Sequence, residues 1–158
     1  GLRWRVHPRA FLRQDAGDAG HARPALQFGP QGLQLLRRPH GIDFHAAVAP
    51  AAGEAVIVKH FPSAFRETPL KQKLDALGVT DITFAGAMTQ LCIDTSVRAA
   101  ADLGFTCALA HDACATRDLK FGDRTVAAAD VQAAYMAALN GSFAKVSTAA
   151  ELAAGLNA

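Results

Sequence analysis

Two residues able to carry acyl-transfer chemistry stand at the ends of apolar runs. Lys59 closes AVIVKH (55–60), and Cys92 follows DITFAG (81–86) across the short turn AMTQ, where the helical stretch LCIDTSVRAAADL begins. A thiol at a helix N-terminus meets unpaired N–H groups and about half a positive charge, both of which favour the thiolate. A Lys59 ammonium nearby would act in the same direction, and the backbone N–H groups of the turn 87–92 could form an oxyanion hole. Placement alone leaves a second reading open, in which Cys92 is a small buried hydrophobe. Lysine is rarely buried without a partner, so a Lys closing an apolar strand suggests a functional charge; a strand end pointing to the surface is the other reading.

The remaining candidates carry less. Cys107 lies inside an apolar run and reads as core, while Cys114, after Asp112, has no assigned role. Three cysteines without CxxC spacing argue against a disulfide scaffold and a zinc knot, and they read as thiols. Asp43 and His45 are ordinary ligand types, but two ligands do not make a site, and neither His60 nor His111 pairs with them, so no metal is expected. No GxGxxG or P-loop is present and no cofactor is expected. The arginines of the first forty residues are scattered among Gly and Pro without aromatic interleaving, which gives no case for nucleic acid.

The elements that must position Lys59 and Cys92 are legible from residue 41 onward. Apolar strands alternate with amphipathic helices, the pattern of βαβ units around a parallel sheet. AVIVKH reads as a buried strand. Thr68-Pro69 reads as an N-cap and first helical position, with LKQKLDAL stopped by Gly78. DITFAG is the next strand and FTCALAHDA (105–113) a third. TVAAADVQAAYMAAL (125–139) reads as a helix stopped at Asn140-Gly141, FAKVST (143–148) as a short strand, and AAELAAGL as a final helical turn. The fold class is therefore α/β.

Residues 1–40 differ in kind. They hold seven Arg, no Lys, two Asp, four of the seven prolines and a single Val, against nine basic and twelve acidic residues in 41–158. With no Ile and one Val, a buried parallel strand is hard to place there. The expected organisation is an anomalous segment 1–40, read in a shifted frame or of heterologous origin, joined to a body 41–158. No apolar run is long enough to span a bilayer and no signal-peptide pattern opens the chain, so a soluble, cytoplasmic protein without a membrane partner is expected.

Taken together, VIVKHFPSAFRETPL (56–70), FAGAMTQLCIDTSVRAAADLGF (84–105) and ALAHDACATRDL (108–119) resemble the isochorismatase-like cysteine hydrolases, over roughly 41–150. That superfamily includes nicotinamidases, N-carbamoylsarcosine amidohydrolase, streptothricin hydrolase and isochorismatase. The resemblance implies a three-layer α-β-α fold with a Rossmann-like sheet of parallel strands, an Asp-Lys-Cys triad, and self-association into homo-oligomers. Cys92 matches the nucleophile and Lys59 the triad lysine. Gly86-Ala87-Met88-Thr89 matches the turn in which a cis peptide, here joining Ala87 to Met88, aims the Met88 N–H with that of Cys92 at the oxyanion. Ala87, Thr89 and Phe65 fall at positions near the substrate; Phe65 could equally pack in the core. Asp112 matches a recurrent aspartate with a structural hydrogen-bonding role.

The family's usual first strand, an apolar run ending in an aspartate followed by x-Gln, is missing or altered here, since Asp15 and Asp18 follow no apolar run. The expected activity is cleavage of a C–N bond in a small amide through a Cys92 thioester, impaired by the loss of that aspartate. Two alternatives stand beside it: a catalytically inactive binding module of the same fold, and a vinyl-ether hydrolase of the isochorismatase type that does not need the cysteine.

Overall fold

The computed structural model describes the backbone of residues 2–6, 11–14, 27–29, 32–34 and 55–156, and the side chains of 55–154. Its centre is a six-stranded sheet. The strands are β1 (Leu2–Val6), β2 (Phe11–Gln14), β5 (Ala55–Lys59), β6 (Asp81–Ala87), β7 (Thr106–Ala115) and β10 (Lys145–Ser147), in the spatial order β10-β7-β6-β2-β1-β5. Two hairpins lie outside it, β3 (Gln27–Gly29) with β4 (Gly32–Gln34), and β8 (Leu119–Phe121) with β9 (Arg124–Val126).

The α/β reading holds. β6 pairs in parallel with β7 and with β2, and β7 in parallel with β10. Two expectations are corrected. The sheet is not wholly parallel, because β1 runs antiparallel to both β2 and β5. Strands also do form within 1–40: β1 and β2 fill the two positions between β6 and β5. Ladder hydrogen bonds are made by the backbone, so a run poor in β-branched residues can still complete a sheet.

The elements around β6 follow the apolar pattern. Ile82 and Phe84 of β6 and Leu109 of β7 are fully buried, joined by Leu70 and Leu74 of α1 (Leu70–Ala76) and Val97 and Ala100 of α2 (Asp94–Asp102). The pairs 70/74 and 97/100 are the i,i+4 and i,i+3 spacings that set two side chains on one helix face. At the end of α1, Gly78 takes φ +64° and Val79 N–H reaches back to the Leu74 carbonyl, so the stop read at Gly78 is a left-handed C-terminal turn.

β5 departs from the expected buried strand. Ile57 and Lys59 face inward, whereas Val56 and Val58 are 39% and 49% exposed. β5 is the edge of the sheet, and alternation is what an edge strand covered on one face produces. The helix expected over 125–139 starts later, as α3 (Ala128–Leu139), because Arg124–Val126 pairs with Leu119–Phe121 in the β8–β9 hairpin. The Asp118 carboxylate accepts the Ala128 N–H and so marks the true start.

The C-terminal stretch is a full helix, α4 (Ala149–Leu156), rather than one turn. Its start is a capping box: Thr148 Oγ1 accepts the Glu151 N–H, and the Glu151 carboxylate accepts the Thr148 N–H and the Ser147 hydroxyl. Asp112 accepts the Ala149 N–H, giving this residue the structural hydrogen bond expected of it. The bonds from Ser147 and Thr148 pull the Glu151 pKa from 4.5 down to about 2. A depressed carboxyl pKa stabilises the fold above the unfolded value and is lost as pH falls through the folded one. Glu151 should therefore stay ionised at pH 3 in a carboxyl NMR titration, and the stability difference between wild type and Glu151→Gln should shrink as pH drops from 4.5 towards 2. A Glu151 midpoint near 4.5 would contradict the cap.

Candidate active site

The carboxyl ends of β5 and β6 and the turn after β6 bring Lys59 and Cys92 together. Lys59 is 1% exposed although charged, and its Nζ donates to the carbonyls of Phe61 and Pro62, each at 2.8 Å, and to Cys92 Sγ at 3.3 Å. Burial lowers the Lys59 pKa from its ordinary value, and Cys92, through charge and hydrogen bond, draws it back up. Cys92 is itself 5% exposed. The sequence places a lysine here because β5 needs an inward-facing residue with a stem long enough to pack and a head that reaches polar groups beyond the strand.

Cys92 does not sit in a regular α-helix. Thr89–Ile93 is one π-helical turn, in which Ile93 N–H reaches the Met88 carbonyl five residues back and Asp94 N–H reaches that of Thr89. α2 continues from it. The Ala87–Met88 peptide is cis. Ala87 and Thr89 are buried and Met88 is half-buried. π-turns recur at functional sites because they redirect a side chain without ending the helix.

Several residues that the sequence reading passed over hold this turn. The fully buried Thr89 hydroxyl lies 2.7 Å from Gln132 Oε1 on α3 and 3.2 Å from the Ala115 carbonyl at the end of β7. Gln132 Nε2 donates to the His111 carbonyl. Thr116 donates to Gln90 Oε1 at 2.6 Å. Ser96, also fully buried, accepts the Ala64 N–H at 2.9 Å and ties the loop after Lys59 to α2. Ser96 could have been found in the sequence, since it is a polar residue on the same helix face as Ala100. Gln132 lies forty-three positions from Thr89 and leaves no local signal.

Phe65 is a different case. It stacks on Phe105 with ring centroids 6.2 Å apart, and Phe105 precedes β7, at the amino end of that strand. Cys92 follows the carboxyl end of β6. Phe65 is half-buried and packs against the core. Cys107 is buried in β7, and burial with the Asp81 charge pushes its thiol up to about 11. Cys114 is likewise raised to about 11 by burial, against a Gly86 backbone hydrogen bond and with the Asp112 charge adding to the rise. Asp15, Asp18, Asp43 and His45 lie outside the described residues. Among the described residues no helix is long and apolar enough to cross a membrane.

The family model of the isochorismatase domain matches residues 5–151. The chain belongs to the isochorismatase family. This match extends further towards the N-terminus than the 41–150 carried by the motifs. Among curated proteins the domain is 44% identical over 108 residues to the uncharacterized isochorismatase family protein YddQ of Bacillus subtilis, covering 68% of this chain and 60% of that one. It is 45% identical over 62 residues to maleamate amidohydrolase of Pseudomonas putida, covering 39% of this chain and 29% of that one. Among solved structures, a putative isochorismatase hydrolase from Oleispira antarctica superposes with TM-score 0.73 at 50% identity, covering 77% of this chain and 64% of that one. The chain therefore spans less than two thirds of the length of each of these relatives.

Two measurements check this geometry. A thiol raised to about 11 is roughly one part in a thousand ionised at pH 8, so iodoacetamide at that pH should place its first adduct on Cys92, and labelling of Cys107 or Cys114 first would contradict the assignment. Ser96→Ala leaves the buried Ala64 N–H without its acceptor and should cost about 1–3 kcal/mol in denaturant unfolding; an unchanged midpoint would show that the tie is not made.

Proposed function

We propose that this isochorismatase domain is a cysteine hydrolase that cleaves the C–N bond of a small amide, with Cys92 as nucleophile. The observation that carries the reading is the 3.3 Å contact between the buried Lys59 ammonium and Cys92 Sγ, beside a turn whose N–H groups can receive an oxyanion. Lys59 holds the thiolate in place. The sulfur attacks the amide carbonyl, the C–S bond forms, and the charge on oxygen is met by the N–H groups of Met88 and Cys92. The C–N bond then breaks and the amine leaves with the proton that the base took from the thiol. Water attacks the thioester and gives a proton to the same base, the C–S bond breaks, and the acid is released with the thiolate restored.

The resemblance assigns the thiol proton to an aspartate at the end of the family's first strand, which has no match in this sequence. β2 pairs with β6 and ends at Gln14; the next residue, Asp15, lies outside the described residues. Ala87 and Thr89 form the wall of the pocket at the turn, with Thr89 acting through its position rather than through its engaged hydroxyl.

The amidohydrolase relative sets the first probe, maleamate. Ammonia release from maleamate and from nicotinamide should be detectable with the unmodified chain and abolished in Cys92→Ala. Lys59→Met should lower the rate at least about a hundredfold. Turnover of either amide by Cys92→Ala at the unmodified rate would remove Cys92 from the reaction.

A further inference from the structure

We propose that Gln132 is a positioning residue for the oxyanion-binding turn, a role that rests on the reading of Cys92 as an acyl-accepting nucleophile. The turn Met88–Cys92 contributes both backbone donors, so its orientation relative to the sheet sets where the oxyanion can be held. Cys92 itself is held on one side by Lys59. The other side of the turn is fixed by a clamp of side chains from elements distant in sequence. Gln132, on α3, accepts the Thr89 hydroxyl at 2.7 Å through Oε1 and donates to the His111 carbonyl at 3.0 Å through Nε2. One amide therefore joins the turn to β7 through its two different ends.

The place of that junction gives it leverage. β6 and β7 pair in regular register up to Phe84 and Leu109, after which Gly86 meets Cys114 and Ala87 meets Ala115. Three extra residues of β7 are taken up within 110–113, and His111 is among them. A bulged segment loses ladder hydrogen bonds and is free to shift unless something else holds it. Gln132 supplies such a hold on the His111 carbonyl and passes it to Thr89, next to Met88. Thr116 and Gln90 add a second link between the end of β7 and the same turn. Without Gln132 the His111 carbonyl loses its side-chain donor and the buried Thr89 hydroxyl keeps only the Ala115 carbonyl, so the turn is held to the bulge less tightly, through Ala115 and the Thr116–Gln90 link alone.

This role separates two reactions of the same thiol. Iodoacetamide alkylates Cys92 by displacement at a saturated carbon, with iodide leaving, and no oxyanion develops. p-Nitrophenyl acetate acylates it: the C–S bond forms, charge builds on the carbonyl oxygen, and the C–O bond breaks as p-nitrophenolate departs with the electron pair. A residue that positions the oxyanion donors must affect the second reaction and spare the first.

The test uses the full chain with Gln132→Met, which keeps side-chain volume and helix preference while deleting both hydrogen bonds, and Gln132→Glu, which keeps an acceptor for Thr89. Gln132→Met should lower the p-nitrophenolate burst rate about tenfold or more, with the rate of Cys92 alkylation by iodoacetamide within about twofold of the unmodified chain. Gln132→Glu should fall between the two. Acylation of Gln132→Met at the unmodified rate would overturn the proposal, as would equal losses in acylation and alkylation, which would indicate a general loss of packing. Absence of any acetyl adduct on Cys92 in the unmodified chain would overturn the hydrolase reading and this inference together, whereas an adduct that forms equally with and without Gln132 would overturn the inference alone.

Discussion

A buried ammonium is the constraint to which the rest of this structure answers. Taking a charged Lys59 head out of water costs several kcal/mol, and the cost is met only if fixed acceptors surround it. The chain supplies them by folding the segment after β5 back over the strand end, so that the Phe61 and Pro62 carbonyls face Nζ. That segment is then held by Ser96 on α2, four residues beyond Cys92. The loop, the helix and the cysteine are thus fixed to one another through the lysine, and a thiol that would otherwise be a small core residue becomes the partner of a cation.

Sheet order explains why the pair needs a long side chain and an unusual turn. β5 and β6 are separated by β1 and β2, which at ordinary strand spacing sets them roughly 14 Å apart. A short side chain on β5 could not bridge that gap. The lysine stem covers part of it from one side. The π-turn, projecting beyond β6 before α2 begins, covers part from the other. Completion of the sheet by β1 and β2 is therefore part of the site, since those strands set the separation that Lys59 spans.

Much of this was legible in the sequence, for identifiable reasons. Gly78, Gly86 and Gly104 marked the ends of α1, β6 and α2, the apolar runs 55–60 and 105–113 marked β5 and β7, and their order put Lys59 at a strand end and Cys92 just beyond one, where ligands gather in open sheets. What local pattern could not show were contacts made across the chain. Thr89 and Gln132, or Gln90 and Thr116, carry no shared spacing. The β8–β9 hairpin was hidden because Thr125 and Val126 suit the start of a helix as well as a short strand, and only the Asp118 cap on Ala128 decides between them. The capping box at Thr148 and Glu151 was present as a readable Thr-x-x-Glu motif. Residues 2–6 and 11–14 gave the opposite problem, because strand pairing there does not depend on the β-branched content from which strands are usually read.

The proposed acylation of Cys92 during amide turnover can be read by rapid-quench mass spectrometry during maleamate hydrolysis. A transient maleyl thioester should appear on the peptide containing Cys92 before steady-state release of acid and be absent from Cys92→Ala. Sustained ammonia release with no mass added to that peptide at any time would contradict it.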